Sequence, residues 1–115
     1  MSLVRISQAQ GRVPVTIFHL KNHINLGNFL EFEETAQHAF DNGMRDLVID
    51  MTEVVSLTSI GIRSIIVIHK MLSTDNRKHL KLANPVSYIR EVLEVSGVTE
   101  YIEIYNTVND AVASF

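Results

Sequence analysis

The chain of 115 residues has no cysteine, no tryptophan and only two prolines. Without cysteine it can build neither a disulfide framework nor a thiolate metal site. Its five glycines form neither GxGxxG nor GxxxxGK followed by Ser or Thr, so a glycine-rich phosphate loop is missing. There is no GxSxG elbow to aim a hydrolase serine. No apolar run reaches the roughly 18 residues of a membrane span; the longest, Ile62 to Ile68, is short and carries Arg63. No cationic stretch leads into an apolar run at the N-terminus, so no signal peptide is expected. There is no excess of positive charge either. The net charge is −3, which argues against a nucleic-acid binder, and "NRKHLK" (Asn76 to Lys81) reads as a solvated turn entering a strand. The expectation is a soluble, cytoplasmic protein with no nucleic-acid partner and no membrane insertion.

What is present is a core. Apolar residues make up 46% and charged residues 20% of the chain, which excludes a disordered segment. The length suits one domain spanning residues 1–115 and needs no metal or disulfide staple. "LVRISQAQGRVPVTIFHL" alternates with period two on both sides of Gln10-Gly11 and reads as an antiparallel strand pair. Pro14 places the second strand's start at an edge or an irregularity. "NLGNFLEFEETAQHAFDNG" sets Leu26, Phe29, Phe32, Ala36, Ala39 and Phe40 at helical spacing. Glu31, Glu33 and Glu34 lie early in that helix, where its dipole favours anions, and Asn42-Gly43 ends it.

"DLVIDM" is a continuous apolar run of strand length, as in a sheet buried on both faces. A nearly all-apolar helix follows from about Ser59 to Ser73, and such a helix lies deep or lends a face to a partner. "HLKLAN" is the next strand. Asn84 reads as an N-cap with Pro85 at the first helical position. Val86, Ile89, Val92 and Leu93 form that helix's inner stripe, and Gly97 ends it. "YIEIYN" is a short strand, and Thr107 caps a last helix with Val108, Ala111, Val112 and Phe115 inward. The order β-β-α-β-α-β-α-β-α predicts an α/β fold with a mixed, mostly parallel sheet of four to five strands and about four helices.

Enzyme chemistry finds little support. The five histidines are His19, His23, His38, His69 and His79. His19 and His23 fall on a strand and its exit, with no carboxylate at zinc-ligand spacing, and all five read as scattered surface or half-buried imidazoles. His69 stands ten residues along a helix from Ser59, about 15 Å away, so the two cannot form a Ser-His pair. No catalytic residue, cofactor or metal is expected.

The junction "VSLTSIGIRS" raises a different question. Thr58, Ser59 and Gly61 sit where a strand gives way to a helix, the edge at which ligands and partners meet open parallel sheets. One reading makes Thr58 or Ser59 a helix N-cap worth about 1 kcal/mol, with Gly61 permitting close packing. The other makes Ser59 a phosphate acceptor, because a helix start tolerates the −1.5 to −2 charges, roughly, of a phosphoryl group.

Two stretches carry a resemblance that covers nearly the whole chain. "LVIDMTEVVSLTSIGIRSI" (Leu47 to Ile65) and "LANPVSYIREVLEVSGVTEYIEIYNTVNDAVASF" (Leu82 to Phe115) resemble the STAS domain, the family of anti-sigma factor antagonists. The resemblance implies a STAS-like fold, and a function in which the protein binds an anti-sigma factor that is also a serine kinase and is released when a serine is phosphorylated. Aligned on Gly61, Ser59 stands at the acceptor position, with Thr58 as second choice, and Asp50 matches the family's strand-ending acid. Thr58 stands where many members have aspartate, Ile60 replaces a second serine, and "KNHINLGNF" puts Asn25 in place of an acid near the site. Asn25, Thr58, Ile60, Gly61, Ile62 and Arg63 are then the partner-contacting residues, and ATP belongs to the partner. Two other roles fit the same fold: a STAS scaffold subunit of a signalling or transport complex that docks without phosphorylation, and a module binding a nucleotide or other small ligand. Partner identity and oligomeric state stay open.

Overall fold

The computed structural model describes residues 3–115. Five strands run β1 (Val4–Gln10), β2 (Pro14–Ile24), β3 (Leu47–Leu57), β4 (Leu80–Ala83) and β5 (Glu103–Tyr105). The helices are α1 (Phe29–Asp41), α2 (Ser59–Leu72), α3 (Ser87–Ser96) and α4 (Val108–Ala113), with a 3-10 turn at Val98–Glu100 after α3. The sheet order is β1-β2-β3-β4-β5. β1 and β2 are antiparallel and every later pair is parallel, so the predicted order and the mixed sheet are both present.

Because each parallel strand is added on the same side of the last, right-handed crossovers place their helices on one face. That face holds the main core. Phe18, Leu20, Leu47, Ile49 and Leu82 of the sheet pack with Phe32 and Ala36 of α1, Ile65, Ile68 and Leu72 of α2, and Ile89 and Leu93 of α3. Phe18, Phe32 and Ile65 are fully buried, each worth about 1.5–3 kcal/mol relative to exposure. The opposite face carries a smaller cluster, in which Val15, Ile17, Val48 and Ala83 are covered by Ala111 and Val112 of α4.

Several boundaries differ from the sequence reading. β3 does not stop at Met51 but runs to Leu57, since Val54 and Leu57 are buried and pair along β2 through register irregularities near Lys21 and His23. His23 therefore lies inside β2 rather than at its exit. Leu26 is 76% exposed and precedes α1, because Asn25 and Asn28 make a turn there. Asn84 is not an N-cap: it is left-handed, with φ 53°, and α3 begins at Ser87 after the N-cap Val86, itself largely exposed. Proline at 85 disfavours helical backbone at 84. The expected caps at Gly97, with φ 85°, and at Thr107, whose Oγ1 accepts from the Asp110 N–H at 3.0 Å, are both present. "NRKHLK" is only partly solvated. Residues 76–78 are exposed, but His79 lies 2.7 Å from Asp46 and 2.8 Å from Asp75, and Lys81 is buried and paired with Glu103.

Candidate functional site at the start of helix α2

The site lies where β2 and β3 both end. Ile24 pairs with Leu57 in the last register step, and the chain turns into α2 through the single residue Thr58. Its backbone N–H donates to the Ile24 carbonyl at 3.1 Å, and its Oγ1 donates to the same oxygen at 3.0 Å. Thr58 holds the N-cap position, yet its hydroxyl is turned back to β2 and accepts no helix N–H. The side-chain cap expected of Thr58 or Ser59 is thus not made. Thr58 instead pins the helix start to the neighbouring strand.

Ser59 is the first residue of α2 and is exposed. Its hydroxyl makes no hydrogen bond within the described residues. The first-turn N–H groups and the positive dipole end surround it, and no acidic residue occupies that turn. Arg63 is exposed on the next turn of α2.

Gly61 is buried, and its backbone is close to β2. A Cβ there would come 2.8 Å from Ile24 Cγ2, 2.8 Å from Leu57 Cδ1 and 2.9 Å from the Ile24 carbonyl oxygen. These distances leave no room for a methyl group, so glycine is what lets the first turn of α2 rest on the end of β2.

Asn25 follows Ile24 directly. Its side-chain Oδ1 accepts from the Gly27 N–H at 2.8 Å, and its carbonyl accepts from the N–H groups of Asn28 and Phe29. Asn28 closes the turn, accepting from the Asn25 N–H at 2.9 Å and donating to the His23 carbonyl at 2.6 Å. Asn25 thus shapes the loop beside Thr58 and directs no side-chain hydrogen bond to Ser59. Ile60 and Ile62 are half-buried, and Ile62 also packs against the main core. Behind this surface the Ser64 hydroxyl donates to Glu33 at 2.6 Å, joining α2 to α1.

Two expectations move. Asp50 lies mid-strand rather than at a strand end and pairs with His19 at 2.7 Å, away from Ser59. Ile24, whose carbonyl anchors Thr58, is missing from the predicted site; a backbone acceptor leaves no signature in the sequence. A surface groove of about 1090 Å³ lies between the β1–β2 hairpin and the outer side of α1, lined by Ile6, Gln8, Thr35 and His38 among others, and includes no residue of α2.

The STAS domain family model matches residues 7–111. The chain belongs to the STAS domain family. It is 27% identical over 96 residues to BtrV of Bordetella bronchiseptica, a candidate anti-sigma factor antagonist, covering 84% of this chain and 82% of that one. In fold it is similar to an anti-sigma factor antagonist domain protein of Planctomyces limnophilus, with a TM-score of 0.85 at 19% identity over 99% and 98% of the two chains. It is also similar to the anti-sigma factor antagonist SpoIIAA in its unphosphorylated form, with a TM-score of 0.78 at 12% identity over 96% and 94%. The phosphorylated form of the Bacillus protein gives 0.72.

Proposed function

We propose that this chain is an anti-sigma factor antagonist acting as a partner switch. Unphosphorylated, it binds an anti-sigma factor that is also a serine kinase; phosphorylated on Ser59, it is released. The observation that carries this reading is the contrast between adjacent hydroxyls. Thr58 is committed to the Ile24 carbonyl, whereas Ser59 is exposed at the helix start and its hydroxyl is unbonded among the described residues. That favours Ser59 over Thr58 as acceptor. SpoIIAA, which has this fold, has structures in both phosphorylated and unphosphorylated forms.

The physics of release follows from the position. A phosphoryl group adds about −1.5 to −2 charges at pH 7, which the α2 dipole tolerates, so the fold survives. A docked partner does not accommodate it. An uncompensated charge in an interface costs on the order of 3–5 kcal/mol, or about two to three and a half decades of affinity. Asn25, Ile60, Ile62 and Arg63 supply the rest of the contact surface. The kinase provides ATP and the base for Ser59.

The test is incubation with the cognate kinase and ATP, with intact mass and site mapping, followed by binding of the modified chain. One phosphate on Ser59 with loss of binding is expected. A phosphate on Thr58 would move the site by one residue. No phosphate, with the partner still bound to wild type and to Ser59→Asp alike, would overturn the switch and leave a scaffold.

A further inference from the structure

The sheet face that α4 only half covers carries a second serine in a different setting. Beyond the apolar pair Ile17–Val48 under α4, the next row of that face is polar, with His19 opposite Asp50. Ser7 Oγ lies 2.8 Å from His19 Nε2, and His19 Nδ1 lies 2.7 Å from Asp50 Oδ2. The other Asp50 oxygen accepts from the Thr52 N–H at 3.1 Å and from its hydroxyl at 2.5 Å. Asn84 Nδ2 donates in turn to that hydroxyl oxygen at 3.0 Å. The His19 and Asp50 side chains are 17% and 15% exposed, and Ser7 is half-buried.

Asp50 orients the His19 ring. Burial pulls the Asp50 carboxyl upward, but the hydrogen bonds from Thr52 and His19 outweigh it and hold it below its ordinary value. An ionised Asp50 accepts a hydrogen bond from His19 Nδ1–H, and in the neutral imidazole so oriented the Nε2 lone pair faces Ser7. Ser7 therefore donates to a base that is itself oriented by a carboxylate, the nucleophile–base–orienter arrangement of activated serines. Arg5 stands directly opposite His19 in the β1–β2 register and so lies on the same face, where it is exposed.

We propose that Ser7 is a reactive serine that accepts an acyl group from an activated donor, an aryl ester, acyl phosphate or thioester, with His19 as its general base and Asp50 as the residue that positions His19. Ser7 Oγ attacks the carbonyl carbon and a new C–O bond forms. The bond from that carbon to the leaving oxygen or sulfur breaks, and the leaving group departs with the electron pair. The Ser7 proton passes to His19 Nε2 and then to the leaving group. Nothing is oxidised or reduced. The step is a single modification of the protein, not turnover, and it is independent of Ser59.

The test treats the full chain with p-nitrophenyl acetate and follows intact mass and peptide maps over time. One acetyl group on Ser7, ahead of any other site, is expected. Ser7→Ala removes it, and Ser59→Ala leaves its rate unchanged. His19→Gln slows it about a hundredfold or more, the contribution of a general base, and Asp50→Asn about tenfold or more. Should the His19→Gln variant fail to fold, Thr52→Val, which removes the hydroxyl hydrogen bond to Asp50 without touching Ser7 or His19, is expected to slow acetylation as well. Acetyl groups on lysines or Ser59 with Ser7 unmodified would overturn the proposal. So would acetylation of Ser7 at an equal rate in wild type and folded His19 or Asp50 variants.

Discussion

The start of α2 and the half-covered face of the sheet each present a serine, and the two are prepared in opposite ways. Ser59 is exposed and makes no side-chain hydrogen bond among the described residues; everything around it fixes the backbone, through Thr58 on Ile24 and the missing Cβ at Gly61. Ser7 is half-buried, and its hydroxyl lies 2.8 Å from an imidazole held by Asp50. A hydroxyl without a base depends on a partner to activate it, and its surroundings need only present it at the right place. A hydroxyl with a base depends on the side chains beside it. Presentation and activation are separate physical problems, and this fold divides them between the end of the sheet and one of its faces.

The comparison can be broken most sharply with charge. Ser59→Asp is expected to weaken partner binding by about two to three and a half decades in a titration calorimetry series, while Ser7→Asp leaves it essentially unchanged. Equal losses would show that the two regions are one surface. Next in size, Gly61→Val forces a side chain against Ile24 and Leu57 and should cost on the order of 1–3 kcal/mol of overpacking strain in urea unfolding, with slower phosphorylation of Ser59 because its backbone shifts. Acetylation of Ser7 should be unaffected.

Thr58→Val removes one hydrogen bond to the Ile24 carbonyl while the Thr58 N–H bond remains. A loss of about 1 kcal/mol is expected, with phosphate still entering at Ser59; loss of the phosphate would make Thr58 the acceptor. The smallest effect concerns acid. The Asp50 carboxyl is depressed below its ordinary value of 3.8, so its contribution to stability is present above that pH and is lost as pH falls through the depressed value. Wild type should lose stability below about pH 4 more steeply than Asp50→Asn, measured as urea midpoints across pH 2 to 6. Parallel curves would mean that Asp50 is not held ionised by its neighbours.

Much of this was legible in the sequence. Period-two and helical spacing give the order of all nine principal elements, and the Thr-Ser-Ile-Gly junction points to the right helix start. What escaped depends on contacts distant in sequence. β3 continues through Thr52, Glu53 and Val55, all exposed, because β2 is there to pair with it, and polar residues on an open face mask the strand pattern. The turn at Asn25–Asn28 displaces Leu26 from the helix although its spacing fits. His19 and Asp50 are 31 residues apart, and only the register of two parallel strands brings them together. An imidazole in isolation therefore reads as a surface residue.

The strand order has a consequence for the newborn chain. Each strand pairs with the one synthesised immediately before it, so a polypeptide leaving the ribosome at about 5–20 residues per second can extend its sheet in the order of translation, without waiting for a distant segment. The α2 start and the β1–β2–β3 platform are complete once Leu72 has emerged. The last segment to appear, α4, then closes over Val15, Ile17 and Val48 and shields an apolar face that would otherwise be left open to other nascent chains.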